Sequence, residues 1–373
     1  MAPRADVRAP LVMERLLPSV RDDAQLFEQT AEIALLAREL PAPWQRLVSA
    51  DLSSVEAQLI YERFVGVTLR ELCVALRTAG RVLPLDVLRV IVEQLCGGFS
   101  AMQPGQRGLL LSDRSVGLSV DGQWRFAQGA LNHWLVNLLT PELANDVEQE
   151  TLSPDTIFLM SPEGIMGRRE TPASFVSRAA ILSWQVATGG FHPFRGGRHG
   201  MMPSLTRYTR GEVHVPLGVH PEMTTALADV LTRGVSFARN RYPDLPAFRA
   251  ALDGAWPTPA ASPGRTLEVI ASVTWSAMQK ELHLLKREPL LPIRWDGVWS
   301  ASRTPEEGIA VLEDQLLERL VPVDRLPLRA PVDELLDPPP EPFVPEANVP
   351  TPPAPRPPPR AGLLQRFLDL FRR

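Results

Sequence analysis

Twelve prolines in the 22 residues from Pro338 to Pro359 divide this chain of 373 residues into two unequal parts. Proline fixes φ and removes a backbone donor, so such a tract favours extended polyproline II and cannot bury a core. Any packed core belongs upstream of it, and the residues beyond it form a short segment on a tether. The whole chain is 45% apolar and 22% charged, which supplies length and side chains for more than one core and excludes a wholly disordered protein. A formal charge of −4 lacks the basic footprint of a nucleic-acid binder, so no nucleic-acid partner is expected. There is no run of about 18 apolar residues, and MAPRADVRAPLVMER sets charges where a secretory signal needs an apolar stretch. The expected location is the cytoplasm, with recruitment to a complex or to the inner membrane surface.

Two residue types limit the chemistry. Cys73 and Cys96 are the only cysteines, too few for a disulfide framework or an unaided structural zinc, and are read as small buried apolar residues. No two of His133, His192, His199, His214, His220 and His283 have the i, i+4 spacing of a helical zinc site, so no metal is expected. Of 39 basic residues only Lys280 and Lys286 are lysines, and chemistry that needs an amine is therefore absent from residues 1 to 279.

Apolar spacing predicts helices over 23–40, 67–79, 84–102, 172–188, 221–233, 246–253, 265–288 and 305–320, with Trp295 and Trp299 between the last two. Arg46 to Ala50 and Ala57 to Phe64 read as neighbouring strands. Leu118 to Ala127 reads as a β-hairpin around Asp121-Gly122. Beyond the prolines, LLQRFLDLFRR sets Leu364, Phe367, Leu368 and Phe371 on one helical face with Arg366, Arg372 and Arg373 elsewhere. This pattern suits docking on a partner protein, folding back on the parent domain, or lying on a membrane surface.

FLMSPEGIMG (158–167), TPASFVSRAAILSWQVATGGFHPFRGG (171–197) and LIYERFVGVTLREL (59–72), together with the order of elements, resemble the bacterial eukaryotic-like Ser/Thr protein kinases over roughly residues 11 to 254. The first resembles the segment that closes the family's activation loop. The second resembles the long helix and turn that come after it, and the third the fifth strand and hinge. The resemblance implies an α+β, two-lobed fold. Its parts are a reduced N-lobe over 1–66, a predominantly helical C-lobe over 67–258, a helical extension over 259–330, a disordered proline-rich linker over 331–360 and an amphipathic terminal helix over 361–373.

Carried over position by position, the resemblance implies a catalytically degenerate member. Glu14 takes the place of the third-strand lysine, and Thr30 lies near that of its helix partner. The catalytic-loop aspartate falls on Leu110, its asparagine on Ser115, and the metal-binding aspartate on Gln128. No glycine-rich loop precedes Glu14. A competing register makes Asp113 the base but still leaves Gln128 for the metal. Phe175 stands where the long helix carries an aspartate. What survives is structural: Glu163 and Arg241 match the ion pair that anchors the activation segment. The expectation is a pseudokinase, a scaffold or regulator without phosphoryl transfer and without a cofactor, that binds a protein through its terminal helix and through the kinase-like lobe. An atypical ATP-dependent transferase and a decayed, inert relic are the alternatives. Whether 265–330 packs on the kinase-like lobe is open at this point.

Overall fold

The computed structural model describes residues 11–15, 44–45, 47–51, 58–62, 64, 66–101, 113, 115–119, 122–126, 161, 171–194, 207, 213, 217–237, 239–287 and 317–330. The expected helix over 23–40, Trp295, Trp299, the proline tract and the terminal amphipathic segment lie outside the described residues.

Strands β1 (Leu11–Arg15), β2 (Leu47–Asp51) and β3 (Gln58–Glu62) form an antiparallel sheet in the order β1-β3-β2. The β1–β3 register runs from Leu11 opposite Glu62 to Arg15 opposite Gln58, and the β2–β3 register shifts between Leu47 and Ser49. The second and third of these strands are the neighbours expected from the β-rich runs around Ala50 and Ile60.

A second antiparallel sheet, in the order β4-β5-β6, comprises β4 (Gly66–Thr68), β5 (Val116–Ser119) and β6 (Trp124–Phe126). The hairpin signal at Asp121-Gly122 falls in the β5–β6 connection, where Gly122 has φ 77° and donates its N–H to the Ser119 carbonyl at 2.9 Å. β4 corrects the expected helix over 67–79. Val67 continues the apolar run, but Thr68 stays extended, and its hydroxyl and Glu71 form a reciprocal capping box that starts α1 (Leu69–Ala79) two residues later than expected. Gly66 lies so close to the Leu118 carbonyl that a Cβ would overlap it, so glycine is what allows β4 to pair at this distance.

Helix α2 (Leu85–Ser100) comes after Pro84 and buries Leu88, Ile91, Val92, Leu95 and Phe99, a stripe at helical spacing. Each such side chain removed from water contributes about 1.5–3 kcal/mol. Helix α3 (Pro172–Ala187) is buried from Val176 to Ala187 on every face, which explains why its apolar pattern shows little period. Thr171 and Ser174 cap it, and Gly189 and Gly190, with φ of 69° and 98°, end it. It packs against α2 and against α4 (Thr225–Val235), and α5 (Leu245–Ala255) closes over α2, α3 and α4. Thr224 and Asp244 cap these last two helices through their side chains, which sets their starts at 225 and 245.

The extension packs on the same core. α6 (Pro263–Arg287) lies against α1, α2 and β4, and it buries Thr266, Val269, Ile270, Thr274, Met278 and Leu282. Asp86 fixes its start, accepting from the Arg265 guanidinium through its carboxylate and from Ala261 N–H through its carbonyl. Residues 317–330 then cross the α1–α2 turn as a strap. Val82 N–H donates to Pro327 C=O at 3.0 Å, Arg329 N–H to Gly80 C=O at 3.0 Å and Ala330 N–H to Val219 C=O at 3.1 Å, while Leu326 is buried. One apolar core therefore runs from Trp44 to Leu326.

His220 holds the turn that receives the strap. Its Nε2–H donates to Leu83 C=O at 2.9 Å and its Nδ1 accepts Glu222 N–H at 3.2 Å, an arrangement only the neutral ring can make. Burial pushes its pKa below the usual value, against the opposing effects of the Leu83 carbonyl and the Glu222 charge. The unfolded chain then takes up a proton before the folded one does, so stability is full above about pH 6.5 and falls as pH drops below it, by up to about 1.4 kcal/mol per pH unit. In thermal melts across pH 5 to 7.5, His220→Gln is expected to flatten this slope. An unchanged slope would show that His220 takes up its proton alike in the folded and unfolded chain.

Candidate functional site

Two of the positions that the resemblance aligns with catalytic ones, Glu14 and Ser115, lie on β1 and just before β5. β1 carries Glu14 directly opposite Leu59 of β3, and β3 leads by way of Phe64 into β4. Across β4, Val67 pairs with Leu118 of β5, and both are almost fully buried. Ser115 lies just before β5 and is also buried. The structure thus brings Glu14's strand, the hinge-like passage and Ser115's strand into two adjoining sheets. Thr30, Leu110, Gln128 and Glu163 lie outside the described residues, as do Leu364, Phe367, Leu368 and Phe371.

Trp44 joins the sheets to the helical body. Its indole Nε1–H donates to Gly98 C=O on α2 at 3.2 Å, and its ring meets Phe126 of β6 with centroids 5.5 Å apart. Gln45 N–H donates to Phe126 C=O at 2.8 Å. The Phe126 ring in turn fills the space where Gly98 would have a Cβ. The sequence offered no sign of this contact, since a single tryptophan just after Pro41 and Pro43 has no period.

Asp113, the base of the competing register, is held by α1. Its carboxylate meets the Arg70 guanidinium at 3.1 and 3.2 Å, and its carbonyl accepts Arg70 N–H at 2.8 Å. The position near the first turn of α1 also suits a negative charge. Beneath this pair the Cys73 thiol is pushed up to about 12, first by burial and then by the Asp113 charge. Burial likewise pushes Cys96 up to about 12, against the attraction of Arg249. Neither thiol is a nucleophile near neutral pH. Both are the buried small residues expected of them.

Arg241 is buried in the loop before α5. Its Nε donates to Ser236 C=O at 3.0 Å and one terminal nitrogen to Ala173 C=O, in the first turn of α3, also at 3.0 Å. Of the expected SPE segment only Ser161, which is buried, is described. Phe175 sits with its ring 6.4 Å from Phe99 and 5.8 Å from the Arg178 guanidinium. Arg178 is almost fully buried within α3, a placement the sequence did not signal. Among the described residues no cluster of three or more His, Cys, Asp or Glu is placed to hold a metal ion, and no helix is long and apolar enough to cross a membrane.

No protein-family model matches the sequence. No curated protein matches it either. Among solved structures the chain is similar to the kinase domain of Mycobacterium tuberculosis PknI, with 15% identity and a TM-score of 0.46, over 66% of this chain and 85% of that one.

Proposed function

We propose that the chain is a kinase-like protein that has given up phosphoryl transfer and works by binding, as a scaffold or regulator. The motifs over 59–72, 158–167 and 171–197 support the kinase-like reading. The observation that carries the loss of chemistry is Glu14 on β1, one strand from the passage into the hinge-like turn. A lysine at that position would neutralise nucleotide phosphates, whereas a carboxylate repels them. Leu110, Ser115 and Gln128 then supply neither a carboxylate base nor carboxylate oxygens for magnesium. Asp113, already engaged by Arg70, does not replace them.

The residues that remain are those that pack. Arg241 ties the α5 approach to the start of α3, and the turn of Phe191 to Phe194 comes directly after α3. The output of such a domain is a surface, and the tethered terminal segment gives it a way to reach a second body. Incubation with γ-labelled ATP, magnesium or manganese and general protein acceptors is expected to give no label in acceptor or in the chain itself. Label that disappears on replacing Asp113 would restore the enzyme reading.

A further inference from the structure

We infer that the seat under the strap is a peptide-recognition site, which the strap fills in cis until an extended partner segment of the same chemistry takes its place. That segment carries a leucine followed by a proline and, two residues after the proline, an arginine. The strap shows how the seat reads it. Leu326 C=O accepts from the Arg81 guanidinium at 2.7 Å and Pro327 C=O from Val82 N–H at 3.0 Å, while Arg329 N–H donates to Gly80 C=O and Ala330 N–H to Val219 C=O. On the strap's side all four are main-chain contacts, arranged around the antiparallel bridge between Arg81 and Leu328, and any extended segment can make them. Selection comes from side chains. Leu326 is 2% exposed and joins the core, and the Arg329 guanidinium lies 4.7 Å from the centroid of the Phe191 ring. Pro327 lends only its carbonyl, and it holds Leu326 extended at φ −71° and ψ 150°. A Cβ on Gly189 would lie 3.0 Å from the Arg81 carbonyl oxygen and 3.8 Å from Arg329 Cδ, so glycine keeps this corner open.

Two features distinguish a seat and its plug from a packed loop. The seat is built without the strap. Gly80, at φ 64°, ends α1 with its N–H on Arg77 C=O, Arg81 N–H donates to Leu76 C=O at 2.9 Å, and the His220 ring donates to Leu83 C=O at 2.9 Å. The strap, in contrast, is lightly held. From 317 to 330 only Leu326 is buried, and Leu317 and Leu328 are 52% and 65% exposed. A segment with one buried anchor opens at a lower free energy than the helices beneath it. On opening, Gly80 C=O, Val82 N–H and Val219 C=O lose their partners, and Val82 and Val219, fully buried while the strap is in place, lose its cover. The open seat then presents aligned polar groups beside apolar surface, which is what an extended segment needs in order to add on. The inference rests on the binding reading and names the segment such a scaffold would take.

The test is fluorescence anisotropy of a labelled peptide spanning 317–330, titrated with the full chain. Leu326→Asp in the chain unseats the strap and leaves the seat intact. Ala330→Pro removes only the N–H given to Val219, and it keeps the test open should the first variant fail to fold. Both opened chains are expected to bind the peptide at least about 10-fold more tightly than the parent, whose seat is occupied. A peptide carrying Leu326→Asp is expected to bind none of the three chains, and one carrying Arg329→Ala to bind the opened chains about 3-fold more weakly. Failure of the folded opened chains to bind, equally tight binding by the parent, or equal binding of the Leu326→Asp peptide would each overturn the inference. A parent that sediments as a dimer beside a monomeric Leu326→Asp chain would also overturn it, by assigning the seat to the strap of a second copy. Transfer of labelled phosphate would end the scaffold reading without altering peptide binding, so the two failures are separable.

Discussion

Trp44→Ala is expected to lower stability by about 3–5 kcal/mol, the range for removing a buried tryptophan. A single-domain protein is stable by only about 5–15 kcal/mol, so the loss is a large share of the total. Trp44 fills the space between Phe126 and α2 and donates to Gly98, so the variant loses apolar burial, a ring contact and a hydrogen bond together. Its effect is also regional. Because Trp44 and Gln45 connect the β2 approach to β6 among the described residues, amide exchange should accelerate in β1, β2 and β3 well before it does in α2 and α3. Trp44→Phe keeps the ring contact and forfeits the indole donor, at about 1 kcal/mol. Urea unfolding followed by far-UV circular dichroism reads both variants. A Trp44→Ala loss below about 1 kcal/mol would mean that the sheets are joined to the helices by something else.

Arg241→Met is the second large effect, expected at about 2–5 kcal/mol, because two buried carbonyls each lose their donor at about 1–3 kcal/mol apiece. Two carbonyls, those of Ser236 and Ala173, lose a charged donor in a nearly dry site. The resemblance adds Glu163 as the partner, and this is separable from the carbonyls by a double-mutant cycle. If Glu163 pairs with Arg241, Glu163→Gln and Arg241→Met are non-additive by about 1 kcal/mol or more. Strict additivity would place Glu163 elsewhere, detach the SPE segment from the family pattern, and leave Arg241 as a tie between α3 and the α5 loop.

The helices were legible where one face meets the core and the other meets water. Leu88, Ile91, Val92, Leu95 and Phe99 announced α2 within two residues of its ends. α3 was legible as buried and for that reason blurred in period. The strand β4 was not legible, because Val67, Thr68 and Leu69 suit either a strand or a first helical turn and the choice is made by the Thr68–Glu71 cap. Nor was the seat of α6. Its amphipathic face was plain, but what covers it is decided by Asp86 and by the surface of α1, over a hundred residues away. Arg178 shows the same limit from the opposite side, since a charge in an apolar helix reads as its exposed face and here lies inside. The candidate site was legible only through resemblance. The hairpin pattern over 118–127 puts Ser115 close to a strand, but only the resemblance puts Glu14 on one, and no pattern of charges or spacings in this chain would by itself single out either position.

The most direct measurement is a thermal-shift titration of the full chain with ATP, with and without magnesium or manganese. Saturation at about a hundred times the dissociation constant adds about 2.7 kcal/mol to the stability of a protein that binds, a shift of several degrees. On the proposed reading Glu14 stands where a kinase carries its lysine, and Ser115 and Gln128 where it binds the metal, so no metal-dependent shift is expected at any ATP concentration. A saturable shift that requires the metal would contradict the proposed reading, since the chain would then hold a nucleotide–metal complex despite Glu14, Ser115 and Gln128.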